Sequence, residues 1–109
     1  RVWEIDTLID GGAASNVPLP VSPTVSFDDA GAVQIFTACN SGSGSYTRQA
    51  DQLRLSGIMY GKQPCASSSA AAAEAHIERV LSEGTLAAQI EAARLTVTRG
   101  DIGLSATTE

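Results

Sequence analysis

Few side chains in this chain are of the kinds that do chemistry. Its two cysteines are Cys39 and Cys65, and its single histidine is His76, with Glu74 two positions before it. A cysteine pair can close a disulfide, hold a metal, or remain as two thiols. Structural zinc wants about four Cys or His ligands. No companion cluster surrounds these two, so no metal site is assigned. A histidine acts as a general base only with a substrate group in reach and a neighbour to orient it. His76 falls beside the apolar stripe of its segment and is expected to be a solvated surface residue. Glu74, at the edge of that stripe, is expected to bond to a nearby strand or to solvent. No catalytic residue and no cofactor site follows from these residues.

Other short patterns read as turns. Asp28-Asp29 lacks the regular run of oxygen ligands that a calcium loop needs. Ser41-Gly42-Ser43-Gly44-Ser45 has neither the Gly-Lys-Ser/Thr ending of a phosphate loop nor the glycine two places before Ser43 that a nucleophile elbow requires. Arg99-Gly100-Asp101 is the turn of a hairpin.

The elements that position these residues can be read from hydrophobic period and turn chemistry. Val2 to Ile9 alternates, with Trp3, Ile5, Thr7 and Ile9 on one face of a strand. Asp10 to Pro23 is a loop punctuated by Gly11, Gly12, Asn16, Pro18, Pro20 and Pro23. Thr24 to Asp28 and Ala32 to Cys39 are strands joined at Asp29-Ala30-Gly31. Asn40 to Gly44 turns. Ser45 to Arg48 and Gln52 to Gly61 are strands joined by Gln49-Ala50-Asp51.

Ser67 to Glu83 is the one strong helix. A serine among Ser67, Ser68 and Ser69 caps it, and Gly84 stops it. Ala70, Ala73, Ile77, Val80 and Leu81 form its apolar stripe, opposite Glu78, Arg79, Ser82 and Glu83. Thr85–Ile90, Arg94–Arg99 and Ile102–Ala106 are closing strands. One helix with one apolar stripe must bury it on a sheet. The expected fold class is mainly β (α+β): a curved antiparallel sheet or small β-barrel with one α-helix packed on it.

Cys39 ends a strand-like run, and Cys65 ends another just before the helix. That placement reads as a disulfide pinning the sheet near the helix start. It would close a loop of about 26 residues and contribute roughly 3.5 kcal/mol. A disulfide points to an oxidising, extracytoplasmic compartment. Arg1 in place of Met points to a processed chain, so a signal or lipid anchor upstream stays open. Net charge is −5, with no cluster of Lys or Arg. That argues against nucleic acid and against binding to anionic lipid by charge. No apolar run reaches the roughly 20 residues of a membrane span.

Taken in order, Trp3, Ser26-Phe27-Asp28-Asp29, Cys39-Asn40 with Gly42, Gly44 and Tyr46, then Leu53, Leu55 and Cys65 resemble the META domain family (HslJ-like, of bacterial envelope and lipoprotein type). Glu74-x-x-Ile77-x-x-x-Leu81 and Leu95-Thr96-Val97 with Gly103-Leu104 extend the resemblance over nearly the whole chain, a single domain over residues 1–109. Ala38 stands where the family usually has Gly, and Gly61-Lys62-Gln63-Pro64 where a Thr-containing run usually precedes the second cysteine.

The resemblance implies a barrel-type domain with no established catalytic residues. The function expected is therefore non-enzymatic: a structural, interaction or stress-protection domain of a bacterial envelope protein or lipoprotein, extracytoplasmic, monomeric, with an envelope protein partner or an apolar ligand. The alternative is a carrier of a small apolar ligand or lipid, using the barrel mouth or a groove beside the helix near Ala70 and Ala73.

Overall fold

Alternating apolar residues let an antiparallel strand bury one face and wet the other. Here that pattern recurs until the sheet meets itself. The computed structural model describes residues 1–17 and 20–108, so Pro18 of the expected loop lies outside the described residues. Strands β1 (Val2–Asp10), β2 (Ala13–Asn16), β3 (Thr24–Phe27), β4 (Ala32–Phe36), β5 (Ser41–Gln49) and β6 (Gln52–Tyr60) come first. Helix α1 (Ser68–Val80) and strands β7 (Gly84–Glu91), β8 (Arg94–Arg99) and β9 (Ile102–Thr107) follow.

Every pairing is antiparallel, in the order β2-β1-β3-β4-β5-β6-β7-β8-β9, and β1 also pairs with β9. That last pairing closes eight strands into a barrel and leaves β2 as an extra strand. On one edge of β1, Val2–Glu4 pairs with β3, and Thr7–Asp10 with β2. The opposite edge of β1 takes β9.

The helix seals one end of the barrel. The ends of β6 and β8 and the start of β9 all reach it, through Tyr60, Arg99 and Gly103. Ile77, Val80 and Leu81 are fully buried beneath it, each stabilising by about 2 kcal/mol relative to exposure. Ser67 is the N-cap, its Oγ accepting from Ala70 N at 3.1 Å. The helix stops at Val80, short of the expected Glu83. Arg99 Nη2 donates to Ser82 O at 2.7 Å and Arg99 Nε to Val80 O at 3.3 Å. Tyr60 Oη donates to Leu81 O at 2.6 Å. These bonds satisfy the carbonyls a helix end leaves open.

Three expectations are corrected. The Asp10–Pro23 loop contains β2, which forms a hairpin with β1 around Gly11-Gly12. The expected Asn40–Gly44 turn is a turn only at Thr37–Asn40, and Ser41 to Gly44 lie in β5. Finally, β1 does not keep one face inward. Its pairing with β9 slips between Ile5 and Thr7, so Asp6 is an extra, bulged residue and the alternation reverses beyond it. Trp3 and Ile5 face the core, and Leu8 packs against it where Thr7 and Ile9 were expected. The hairpin turns at Asp28–Gly31, Gln49–Asp51 and Arg99–Asp101 lie where the sequence places them.

Candidate functional site

Two places concentrate unusual side chains. The first is the junction of the β4–β5 turn with the start of α1. Cys39 and Cys65 are joined, with Sγ atoms 2.17 Å apart. Glu74, nearly two turns into the helix, reaches back beneath them. Its Oε2 accepts from Thr37 Oγ1 at 2.6 Å and from Asn40 Nδ2 at 2.7 Å, and its Oε1 lies 3.5 Å from Cys65 Sγ.

Asn40 organises this corner. Its amide donates to Gln63 O and its Oδ1 accepts from Gln63 N, tying the segment before Cys65 to the turn. Thr37 Oγ1 accepts from Asn40 N at 2.9 Å. Thr37 is fully buried and Asn40 nearly so. The two sulfurs and the Glu74 carboxylate sit within 4.8 Å of one another. Because the sulfurs are bonded to each other, only the carboxylate is left as a metal donor, too few for zinc. The corner is a structural lock. Glu74 bonds to the β4–β5 turn, within the range its helix-edge position allowed. The buried Thr37 and Asn40 were missed; the signal was Asn40 directly after Cys39.

His76 is a clear correction. It is buried rather than solvated. Its Nε2 lies 2.9 Å from Gly103 O, and Arg79 Nη2 lies 3.4 Å from its Nδ1. A carbonyl only accepts and a guanidinium only donates, so Nε2 carries the hydrogen and Nδ1 accepts. Gly103 itself fits closely against β8: a Cβ built there would stand 2.5 Å from Val97 O.

Burial, with Glu78 and Glu74 nearby, pushes the Tyr60 phenol above the usual tyrosine range. It therefore stays protonated and keeps donating to Leu81 O. Burial and Glu74 also raise the Glu78 carboxyl, partly offset by Lys62.

The second place is the end of the barrel away from the helix. Trp3 begins β1, Phe27 ends β3, Leu53 begins β6 and Leu95 begins β8, so all four meet at one rim. With Tyr46 and Ala88 they line a half-open cavity of about 270 Å³. Phe27 and Tyr46 meet edge to face, ring centroids 5.0 Å apart. The Tyr46 hydroxyl donates to Asp28 O. Arg1 lies over the Trp3 ring, 5.6 Å from its centroid, and Arg48 and Asp29 complete the rim. A shallower groove of about 400 Å³ runs between α1 and the β1–β2 hairpin, lined by Leu8, Asp10, Asn16, Ala73 and His76 among others. Of the two helix alanines named for such a groove, Ala73 lines it and Ala70 does not.

A closed eight-stranded barrel with one helical plug and one aromatic mouth defines the class. The META domain model matches residues 1–108, and the chain belongs to that family. No curated protein matches it. Two solved structures share the fold. One NMR structure of a protein has 19% sequence identity and TM-score 0.73, covering 97% of this chain and 86% of its own. Another, of a protein from Burkholderia xenovorans, has 16% identity and TM-score 0.74, covering 97% of this chain and 79% of its own.

Proposed function

We propose that this chain is a non-enzymatic, extracytoplasmic domain of a bacterial envelope protein that works by binding, and that the barrel mouth receives a small apolar ligand. The mouth carries this reading. Most small barrels of this size fill their interior with side chains or hold one small ligand. In this one Ile77, Val80 and Leu81 fill the helix end, and at the other end a half-open cavity of about 270 Å³ lies over the buried Trp3, Leu53 and Leu95. Ligand sites are typically concave and apolar with a few polar groups at the edge. Trp3, Phe27, Leu53 and Leu95 beneath Arg1 and Arg48 match that description. The groove beside the helix is lined by Asp10, Ser15, Asn16 and Ser69, a wetter surface.

The non-enzymatic part rests on the family resemblance and on how the polar side chains are engaged. His76, Glu74 and Thr37 are each held by buried bonds that lock turn, helix and strand together. The extracytoplasmic part rests on the disulfide.

Trp3 is the only tryptophan, so its fluorescence reports the mouth directly. Titration with octanol, an uncharged apolar probe, is expected to shift Trp3 emission saturably. No shift up to the solubility limit overturns the binding reading. Thiol titration of unfolded, unreduced protein from its own cells is expected to find no free thiol. Two free thiols there overturn the assignment of compartment.

A further inference from the structure

We infer that the barrel mouth selects a small amphiphilic anion: an apolar body seated on Trp3, Phe27 and Leu95, and one carboxylate or similar head held at the rim by Arg1 and Arg48. This rests on the binding reading above and adds the charge and size of the ligand.

Charge at the rim is the first argument. The chain is acidic overall, with twelve carboxylate side chains against seven basic ones. Yet among the described residues that line it, the mouth sets two guanidiniums against one carboxylate, Asp29. Among the described residues the salt bridge is Arg94 with Asp6, on another part of the barrel. Among the described residues, neither Arg1 nor Arg48 forms a salt bridge. Arg48 gives its Nε to Ala50 O at 3.3 Å, a long bond that leaves the forked end of the guanidinium available. Such a fork matches a carboxylate with two parallel bonds. The acidic remainder of the surface does not cancel this. At physiological salt, charges beyond about 8 Å are largely screened, so the rim acts through its own cations.

The interior of the mouth supplies the second argument. The Tyr46 hydroxyl already gives its hydrogen to Asp28 O, so it offers the ligand a ring face but no hydrogen-bond donor. Trp3, Phe27, Leu53, Ala88 and Leu95 add no charge. A ligand polar along its length would leave groups unpaired there, which is costly. A ligand with one apolar end and one charged end leaves none. Size follows from the volume. A dry cavity of about 150 Å³ takes one benzene, and this cavity of about 270 Å³ has room for more than one ring or a medium alkyl chain.

The test compares octanoate with octanol, which share a chain and differ in the head. Trp3 emission is followed for the native protein, for the double variant Arg1→Gln/Arg48→Gln, and for Arg54→Gln, an exposed arginine away from the mouth. Octanoate is expected to bind about tenfold tighter than octanol, as a charge-assisted bond predicts. That preference should vanish in the double variant and survive in Arg54→Gln. Equal affinities, or a preference that persists in the double variant, overturn the anion inference while leaving apolar binding in place. If neither probe moves Trp3 emission, the binding reading itself falls, and this inference with it.

Discussion

Thr37 Oγ1 and Glu74 Oε2 lie 2.6 Å apart, bonding a buried turn to a helix 37 positions away in sequence. The same oxygen accepts from Asn40 Nδ2. One half-buried carboxylate thus accepts from two buried donors. Glu74→Ala removes both bonds, but Asn40 Nδ2 keeps Gln63 O and Thr37 Oγ1 keeps Asn40 O at 3.1 Å, so the cost is that of bonds lost to a charged group rather than of two orphaned donors. The expected loss in urea unfolding is about 2 kcal/mol. A loss below about 0.5 kcal/mol would mean that the corner does not lock the helix in solution.

The disulfide beside this carboxylate offers a separate test. Cys39 and Cys65 are 26 positions apart, and opening a loop of that length costs roughly 3.5 kcal/mol in the chain-entropy picture. The double variant Cys39→Ala/Cys65→Ala should therefore melt well below the parent. Because Glu74 touches Cys65, combining this change with Glu74→Ala should cost less than the sum of the two. Strict additivity would show the two locks to be independent.

Ala38 occupies φ +76°, in the left-handed region, between the two residues that frame the lock. A side chain there costs about 1 kcal/mol or more, and glycine avoids the clash. Ala38→Gly is expected to stabilise the domain by about 1 kcal/mol. The same backbone requirement accounts for glycine being usual at this place in the family. Unchanged or lowered stability in Ala38→Gly would count against that account.

Asp6, the bulged residue of β1, accepts from Arg94 Nη1 at 3.1 Å and Nη2 at 3.2 Å, and from Thr7 and Thr107. Partial burial works to raise its carboxyl, but the bonds and charge of Arg94 with the two hydroxyls outweigh it. The group is held below its ordinary value of 3.8. A carboxylate lowered on folding adds stability above its unfolded value and loses it as pH falls through the folded one. The stability difference between the parent and Asp6→Asn should therefore be level at neutral pH and shrink in acid. It should stay below about 1 kcal/mol, because the pair is substantially exposed. A difference that grows in acid would contradict the sign.

The parts legible in sequence were those set by local rules. The helix stripe from Ala70 to Leu81 and the turns at Gly31, Ala50 and Gly100 depend on period and turn chemistry alone. What local rules missed was set by distant neighbours. Ser41 to Gly44 looked like a turn because glycine and serine are poor strand formers. Gly42 is in β5 because the Tyr60 ring lies across it, and Gly44 because Ile58 Cδ1 would stand 2.5 Å from any Cβ there. His76 looked exposed on its own helix, yet it is buried where the helix meets β9, whose Gly103 carbonyl bonds its Nε2. The candidate site was half visible. Trp3, Phe27 and Tyr46 enter the sequence reading only through strand pattern and family resemblance, because their meeting at one rim depends on the register of strands across the whole barrel.

Closure between β1 and β9 also shapes the order of events in time. Glu4 pairs with Thr107, so the ring cannot be completed until almost the whole chain is available. Any shorter, growing or still-threading portion is an open sheet with bare edges, exposed to wrong pairing. Contacts this remote along the chain are also the slow ones to form. The domain is thus open to mispairing for as long as its last strand is missing.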